Sequence, residues 1–160
     1  MQPDTTASND MRRVRHGDLL SVQQGIIVHG CNARGVMGSG VAAQVKQKYP
    51  AAYEEYKRHD GKYQLGMIIP ALVAPNLVII NAITQKDYGR IEGRLYADYD
   101  AIKIAFEQIA QIADESGMEV HYPQIGAGLA QGDWRIISLI IDKAFEPYPN
   151  VDRTLWVYQG

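Results

Sequence analysis

The chain has 160 residues, enough for one domain with a sizeable core, and a formal net charge of −2. That balance excludes a general electrostatic pull toward nucleic acid, so any bound phosphate has to be held locally by backbone N–H groups and helix dipoles. The single cysteine, Cys31, excludes an internal disulfide and a cysteine-built zinc cage, and the lack of a long apolar segment or signal peptide leads us to expect a soluble, cytoplasmic protein.

Residues 1–10 are polar and aperiodic and read as a disordered tail, which leaves 11–160 as a single domain. Residues 11–16 read as a first strand at a sheet edge, with Val14 inward and the arginines outward. In the Gly17-Asp18-Leu19 turn that follows, Asp18 either caps the turn or accepts from an exocyclic amino group such as that of adenine. The β-branched run Ile26-Ile27-Val28 reads as a buried strand. It breaks at Gly30 into a loop carrying His29, Cys31, Asn32, Gly38, Ser39 and Gly40, and a helix opens at Val41. Strand, glycine-rich loop and helix make a phosphate-binding order, although neither GxGxxG nor GxxxxGK[ST] is present.

The helix over 41–49 stops at Pro50, and a second runs over 51–59. Strands over 65–71 and 77–83, joined by Pro75-Asn76, form an antiparallel hairpin, so the sheet is mixed. Gln85, Lys86, Tyr88 and Arg90 lie in a polar segment that either lines a site or is plain solvated loop. A long amphipathic helix over 94–115 is stopped by Ser116-Gly117. The strand over 120–122 then leads into Gly126-Ala127-Gly128-Leu129-Ala130, a second glycine loop, before a helix over 133–145 and a final strand over 154–158. The pattern predicts a three-layer α/β/α sandwich around a mixed sheet of about six strands, with the two loops at one sheet edge clamping a diphosphate. Ordinary β–α turns are the alternative.

Gly17-Asp18-Leu19, Val28-His29-Gly30-Cys31-Asn32 leading into Gly38-Ser39-Gly40-Val41-Ala42, and Gly126-Ala127-Gly128-Leu129, taken in this order, resemble a macro domain, the ADP-ribose-binding module. The resemblance implies a cleft in which Asp18 and the Leu19 N–H meet adenine, residues 38–41 and 126–130 hold the diphosphate, and Asn32 sits near the distal ribose. Gln85 and Tyr158 join that list of ligand contacts, Tyr158 and Tyr88 either stacking on the base or simply packing. The departures bear on chemistry: His29 replaces the first asparagine of Asn-Ala-Ala-Asn, Ala42 stands where one hydrolase branch has Asp, and Ala130 where another does. The His-x-Cys-Asn loop and the Asp133-Trp134 ending are closer to the ADP-ribose 1″-phosphate phosphatase branch, common in bacteria and phages.

That branch implies a hydrolase, with an ADP-ribosyl hydrolase acting on protein or nucleic acid, or a non-catalytic reader, as alternatives. His29 is the expected general acid or base, with a histidine packed at the strand end as the alternative; Asn32 orients a hydroxyl or water, and Asp133 pairs with His29, positions water or caps its helix. Cys31 is rejected as a phosphoryl acceptor because the residue six positions on is Met37 and not Arg. His16, His59 and His121 are too scattered for a metal site. The expectation is therefore a monomer that needs neither metal nor cofactor, has no membrane partner, and binds ADP-ribose, a derivative or an ADP-ribosylated macromolecule.

Overall fold

Two long apolar strands set the architecture. In the computed structural model, which describes residues 12–158, β2 (Gly25–Asn32) and β4 (Leu77–Gln85) are buried almost throughout, with Ile27 opposite Ile79 and His29 opposite Asn81 in a parallel pair. Strands covered on both faces are what parallel sheets need, which is why these two read as near-continuous apolar runs. The predicted tail, Met11 and residues 159–160 lie outside the described residues.

The other strands are β1 (Arg12–His16), β3 (Ile68–Ala74), β5 (Val120–Tyr122) and β6 (Arg153–Val157), and the sheet order is β1-β6-β5-β2-β4-β3. Among the strand pairs of the described residues, β3–β4 is the antiparallel one. Helices α1 (Gly40–Lys48) and α2 (Pro50–Lys57) cover one face over Ile27, Ile79, Val45 and Ala52. Helices α3 (Tyr99–Ser116) and α4 (Trp134–Phe145) cover the other over Ile26, Val28, Ile80, Phe106 and Ile137. This is the three-layer α/β/α sandwich with a mixed six-stranded sheet that the sequence predicts. Asp98 caps α3 by accepting from the Ala101 N–H at 2.9 Å, and Gly117 ends it in the left-handed region at φ +73°.

Four local expectations are corrected. β2 does not break at Gly30 but runs to Asn32, because its last residues keep pairing with β4. β4 likewise extends through Thr84 and Gln85, which the sequence places in a loop. The long helix starts at Tyr99 rather than Arg94, since the preceding segment is extended: Ala97 bridges Gln85, and the Tyr96 and Ala97 N–H groups both donate to the Ala130 carbonyl. Val14 is 49% exposed along with the rest of β1, because this edge strand pairs only with β6 and joins neither core.

Candidate functional site

Strands β5, β2 and β4 are parallel and end at the same edge of the sheet, so the segments that follow them gather there. They enclose a cleft of about 540 Å³. Both glycine loops line it, together with the end of β4.

The first wall is the entry to α1. Ser39 sits at the N-cap but makes no side-chain cap bond, and the first bond into the helix runs from the Ala43 N–H to the Ser39 carbonyl at 3.2 Å. The N–H groups of Gly40, Val41 and Ala42 therefore have no acceptor among the described residues. Gly40 takes φ +61°, and a Cβ there would meet nothing within 4 Å. The second wall is the loop after β5. It is closed by the Gly132 N–H donating to the Gly126 carbonyl at 2.6 Å and the Gln131 N–H to the Gly128 carbonyl at 3.0 Å, with Gly126 at φ +77°. Gly128, Leu129 and Ala130 keep their N–H groups without an acceptor among the described residues. Two rows of oriented backbone donors thus line one cleft, an arrangement that binds anionic oxygens without requiring a lysine.

The third wall is the end of β4 and the loop beyond it. Asp87 lies between Arg34 and Arg94, and the hydrogen bond from Arg34 holds its carboxyl below the usual carboxylate range. Gln85 donates to the Asp87 carbonyl at 2.7 Å. Gln131 accepts from the Gly93 N–H at 3.0 Å and donates to the Ile91 carbonyl at 2.7 Å, which fastens the loops after β4 and β5 to each other. Arg90 lines the cleft and makes no ion pair or hydrogen bond among the described residues. Among the described residues no His, Asp, Glu or Lys lines the cleft.

Of the residues expected from sequence, Asn32, Gly38, Ser39, Gly40, Val41, Gln85, Gly126, Gly128, Leu129 and Ala130 come together in the cleft lining. Asn32 is committed to holding its own loop. Its Oδ1 accepts from the Arg34 and Val36 N–H groups and lies 2.9 Å from the Tyr56 hydroxyl, while Nδ2 donates to the Val36 carbonyl at 2.8 Å, leaving one amide hydrogen. Asp18, Leu19, Ala127 and Tyr158 do not line the cleft. Asp18 caps the short 3-10 turn Leu19–Ser21, accepting from the Leu20 N–H at 2.9 Å. Leu19 is buried in the core with Val45, the Ala127 N–H is spent on the Gln124 carbonyl at 3.2 Å, and Tyr158 is 75% exposed.

His29 is fully buried on the face of β2 under α2 and does not itself line the cleft, with its Nε2 3.6 Å from Sγ of the lining residue Cys31. Its Nε2 lies 2.6 Å from Asn81 Oδ1. Asn81 Nδ2 donates both its hydrogens, to the Ala52 and Ile69 carbonyls, so Oδ1 is the acceptor and His29 Nε2 carries the proton. Burial lowers the imidazole pKa to about 4, so the ring is neutral at pH 7. The expected general acid or base is thus a core histidine. Asp133 is likewise the cap of α4, accepting from the Arg135 N–H at 2.9 Å, and its carboxyl is held below the usual range by the Arg135 guanidinium at 2.9 Å. It does not pair with His29. Cys31 is buried, and burial pushes its thiol pKa up, away from the reactive thiolate. Among the described residues no group of three or more metal-ligating side chains occurs, and no helix is long and apolar enough to cross a membrane. Sequence reasoning missed Thr84 and Gln124 as lining residues; their position at or just past a strand end was the available signal.

A family model described as Macro domain matches residues 28–140. The DNA ADP-ribosyl glycohydrolase of Mycobacterium tuberculosis is 29% identical over 150 residues, which is 90% of this chain and 41% of that protein. The chain thus spans about two-fifths of the length of the first curated relatives it matches. The ADP-ribose 1″-phosphate phosphatase of Scheffersomyces stipitis is 24% identical over 163 residues, 83% of this chain and 94% of that one. Among solved structures, the macrodomain of Mycobacterium tuberculosis DarG matches with a TM-score of 0.78 at 25% identity, covering 90% of this chain and 97% of that chain.

Proposed function

Because the chain belongs to the Macro domain family, we propose that its cleft binds ADP-ribose or an ADP-ribose derivative by the diphosphate, and that residues 11–160 form the one domain that does so. The observation that carries this reading is the pair of unpartnered N–H rows, Gly40 to Ala42 and Gly128 to Ala130, on two walls of one cleft. Each row lies at a helix start or in a glycine loop, where oriented N–H dipoles compensate a phosphate charge. In a chain with net charge −2, that local field replaces any long-range attraction.

The activity we propose is hydrolysis, with phosphate release from ADP-ribose 1″-phosphate as the reaction. Water attacks phosphorus, the bond from phosphorus to the ribose oxygen breaks, and ADP-ribose and inorganic phosphate leave. Arg90 supports this choice, as an unpaired guanidinium beside the end of β4 that suits the oxygens of an added phosphate. Relatives named as phosphatases support it too. With no imidazole or carboxylate among the described lining residues, the proton of the attacking water passes to a phosphate oxygen and on to the leaving ribose oxygen, which takes the electron pair of the broken bond, so turnover is slow and its pH profile carries no imidazole limb. Arg90→Ala is expected to lower kcat/KM for the 1″-phosphate by about 10 to 100-fold while changing ADP-ribose affinity less than about threefold. An equal loss in both would remove Arg90 from the reaction.

A second reading, release of ADP-ribose from nucleic acid, is favoured by the relatives named DNA ADP-ribosyl glycohydrolase. The two are separated by assaying phosphate release from ADP-ribose 1″-phosphate beside ADP-ribose release from a modified oligonucleotide. Saturable binding with no turnover of either substrate would leave a reader.

A further inference from the structure

Thr84 is the last buried residue of β4 before Gln85, 1% exposed, and it forms part of the cleft floor. Its hydroxyl makes no hydrogen bond to any described residue. A hydroxyl buried without a partner loses its hydration with nothing in return, so such groups are nearly always satisfied. On the side of Gly30 there is no room for a partner: a Cβ there would stand 2.7 Å from Thr84 Oγ1, and the methyl of Ile125 lies on the same side of Gly30. Thr84 belongs to the cleft lining, so a ligand in the cleft can supply the acceptor or donor.

The sheet order says which part of a ligand would arrive there. The two N–H rows follow β2 and β5, which are adjacent, so a diphosphate held by both sits over that pair. β4 flanks β2 on the side away from β5, whereas β6 and β1 flank β5 on the other. The end of β4 and the loop after it carry the hydrogen-bonding groups Gln85 and Arg90, and Asn32 at the end of the neighbouring β2 keeps one free amide hydrogen; these suit sugar hydroxyls. The β6–β1 side carries the Trp156 ring beside Gly17, which suits a base. Thr84 therefore lies one strand beyond the diphosphate, on the sugar side.

Resting on the ADP-ribose reading above, we propose that the Thr84 hydroxyl is a specificity-determining contact to the distal ribose, and that it is what separates ADP-ribose from ADP in this cleft. A side chain that touches only the distal sugar contributes to one ligand and not to the other. Thr84→Val keeps the shape of the side chain and removes the hydroxyl; Thr84→Ser keeps the hydroxyl.

The test is calorimetric titration of wild type, Thr84→Val and Thr84→Ser with ADP-ribose and with ADP, beside a thermal melt of each. Expected are a tenfold or greater loss of ADP-ribose affinity in Thr84→Val, recovery to within about threefold in Thr84→Ser, and ADP affinity unchanged in all three. Unchanged ADP-ribose affinity in Thr84→Val would mean that the hydroxyl holds an ordered water only, and would overturn the assignment. Equal losses for ADP and ADP-ribose, with or without a lower Tm, would also overturn it, because the role would then be structural. Failure of the wild type to bind ADP-ribose at all would instead overturn the underlying reading, and this assignment with it.

Discussion

Gly128→Glu is expected to weaken ADP-ribose binding by about two orders of magnitude while leaving the fold intact. Gly128 lines the cleft, lies outside the positive-φ glycines, and has open space where a Cβ would go, so the backbone tolerates a side chain there. Its N–H belongs to the row proposed to hold the diphosphate. A carboxylate placed about 5 Å from a phosphate charge, at an effective dielectric near 20, costs about 3 kcal/mol, or a factor of roughly 200 in affinity. Gly128→Gln adds similar bulk without charge and is expected to lose much less, and raising the salt should recover part of the Glu loss. If Gly128→Glu binds as tightly as wild type with an unchanged Tm, the second glycine loop does not hold the phosphates.

The second large effect is on stability. His29 is neutral in the fold with its pKa at about 4, against 6.5 when unfolded. Between those values the unfolded chain binds more protons than the folded one, so the stability from keeping this imidazole neutral is fully present above pH 6.5. It is lost as pH falls toward 4. The span corresponds to about 3 kcal/mol. Urea midpoints between pH 7 and pH 4 should therefore fall more steeply for wild type than for His29→Gln, whose amide can still donate to Asn81 Oδ1 but does not titrate. Parallel slopes would show that His29 contributes nothing to the acid sensitivity. The same variant at pH 7 is expected to bind ADP-ribose within twofold of wild type, since the ring lies outside the cleft. Lost turnover in a stable His29→Gln protein would restore the imidazole to the chemistry.

The glycine loops were legible because glycine between an apolar run and a helical pattern marks a strand end directly, and their meeting at one edge follows from parallel pairing. His29 was misread for a reason of parity. Ending β2 at Gly30 frees the ring to face a ligand, whereas carrying the strand to Asn32 keeps the alternation and sets His29 on the same face as Ile27, beneath the α1–α2 layer. Asp18 and Asp133 were each readable as caps, and the cap is what the hydrogen bonds realise. Val14 escaped because coverage of an edge strand is set by distant helices and not by its own alternation. Thr84 carries only its place at a strand end as a local signal; its close approach to Gly30 appears only when β2 and β4 are laid in register.

The most direct measurement is a calorimetric titration of the wild-type chain with ADP-ribose. Saturable one-to-one binding with a Kd in the micromolar range, about −8 kcal/mol, is the predicted result. No saturation at millimolar ligand would mean that the N–H rows of Gly40 to Ala42 and Gly128 to Ala130 are ordinary loop geometry, and the proposed function would fall with them.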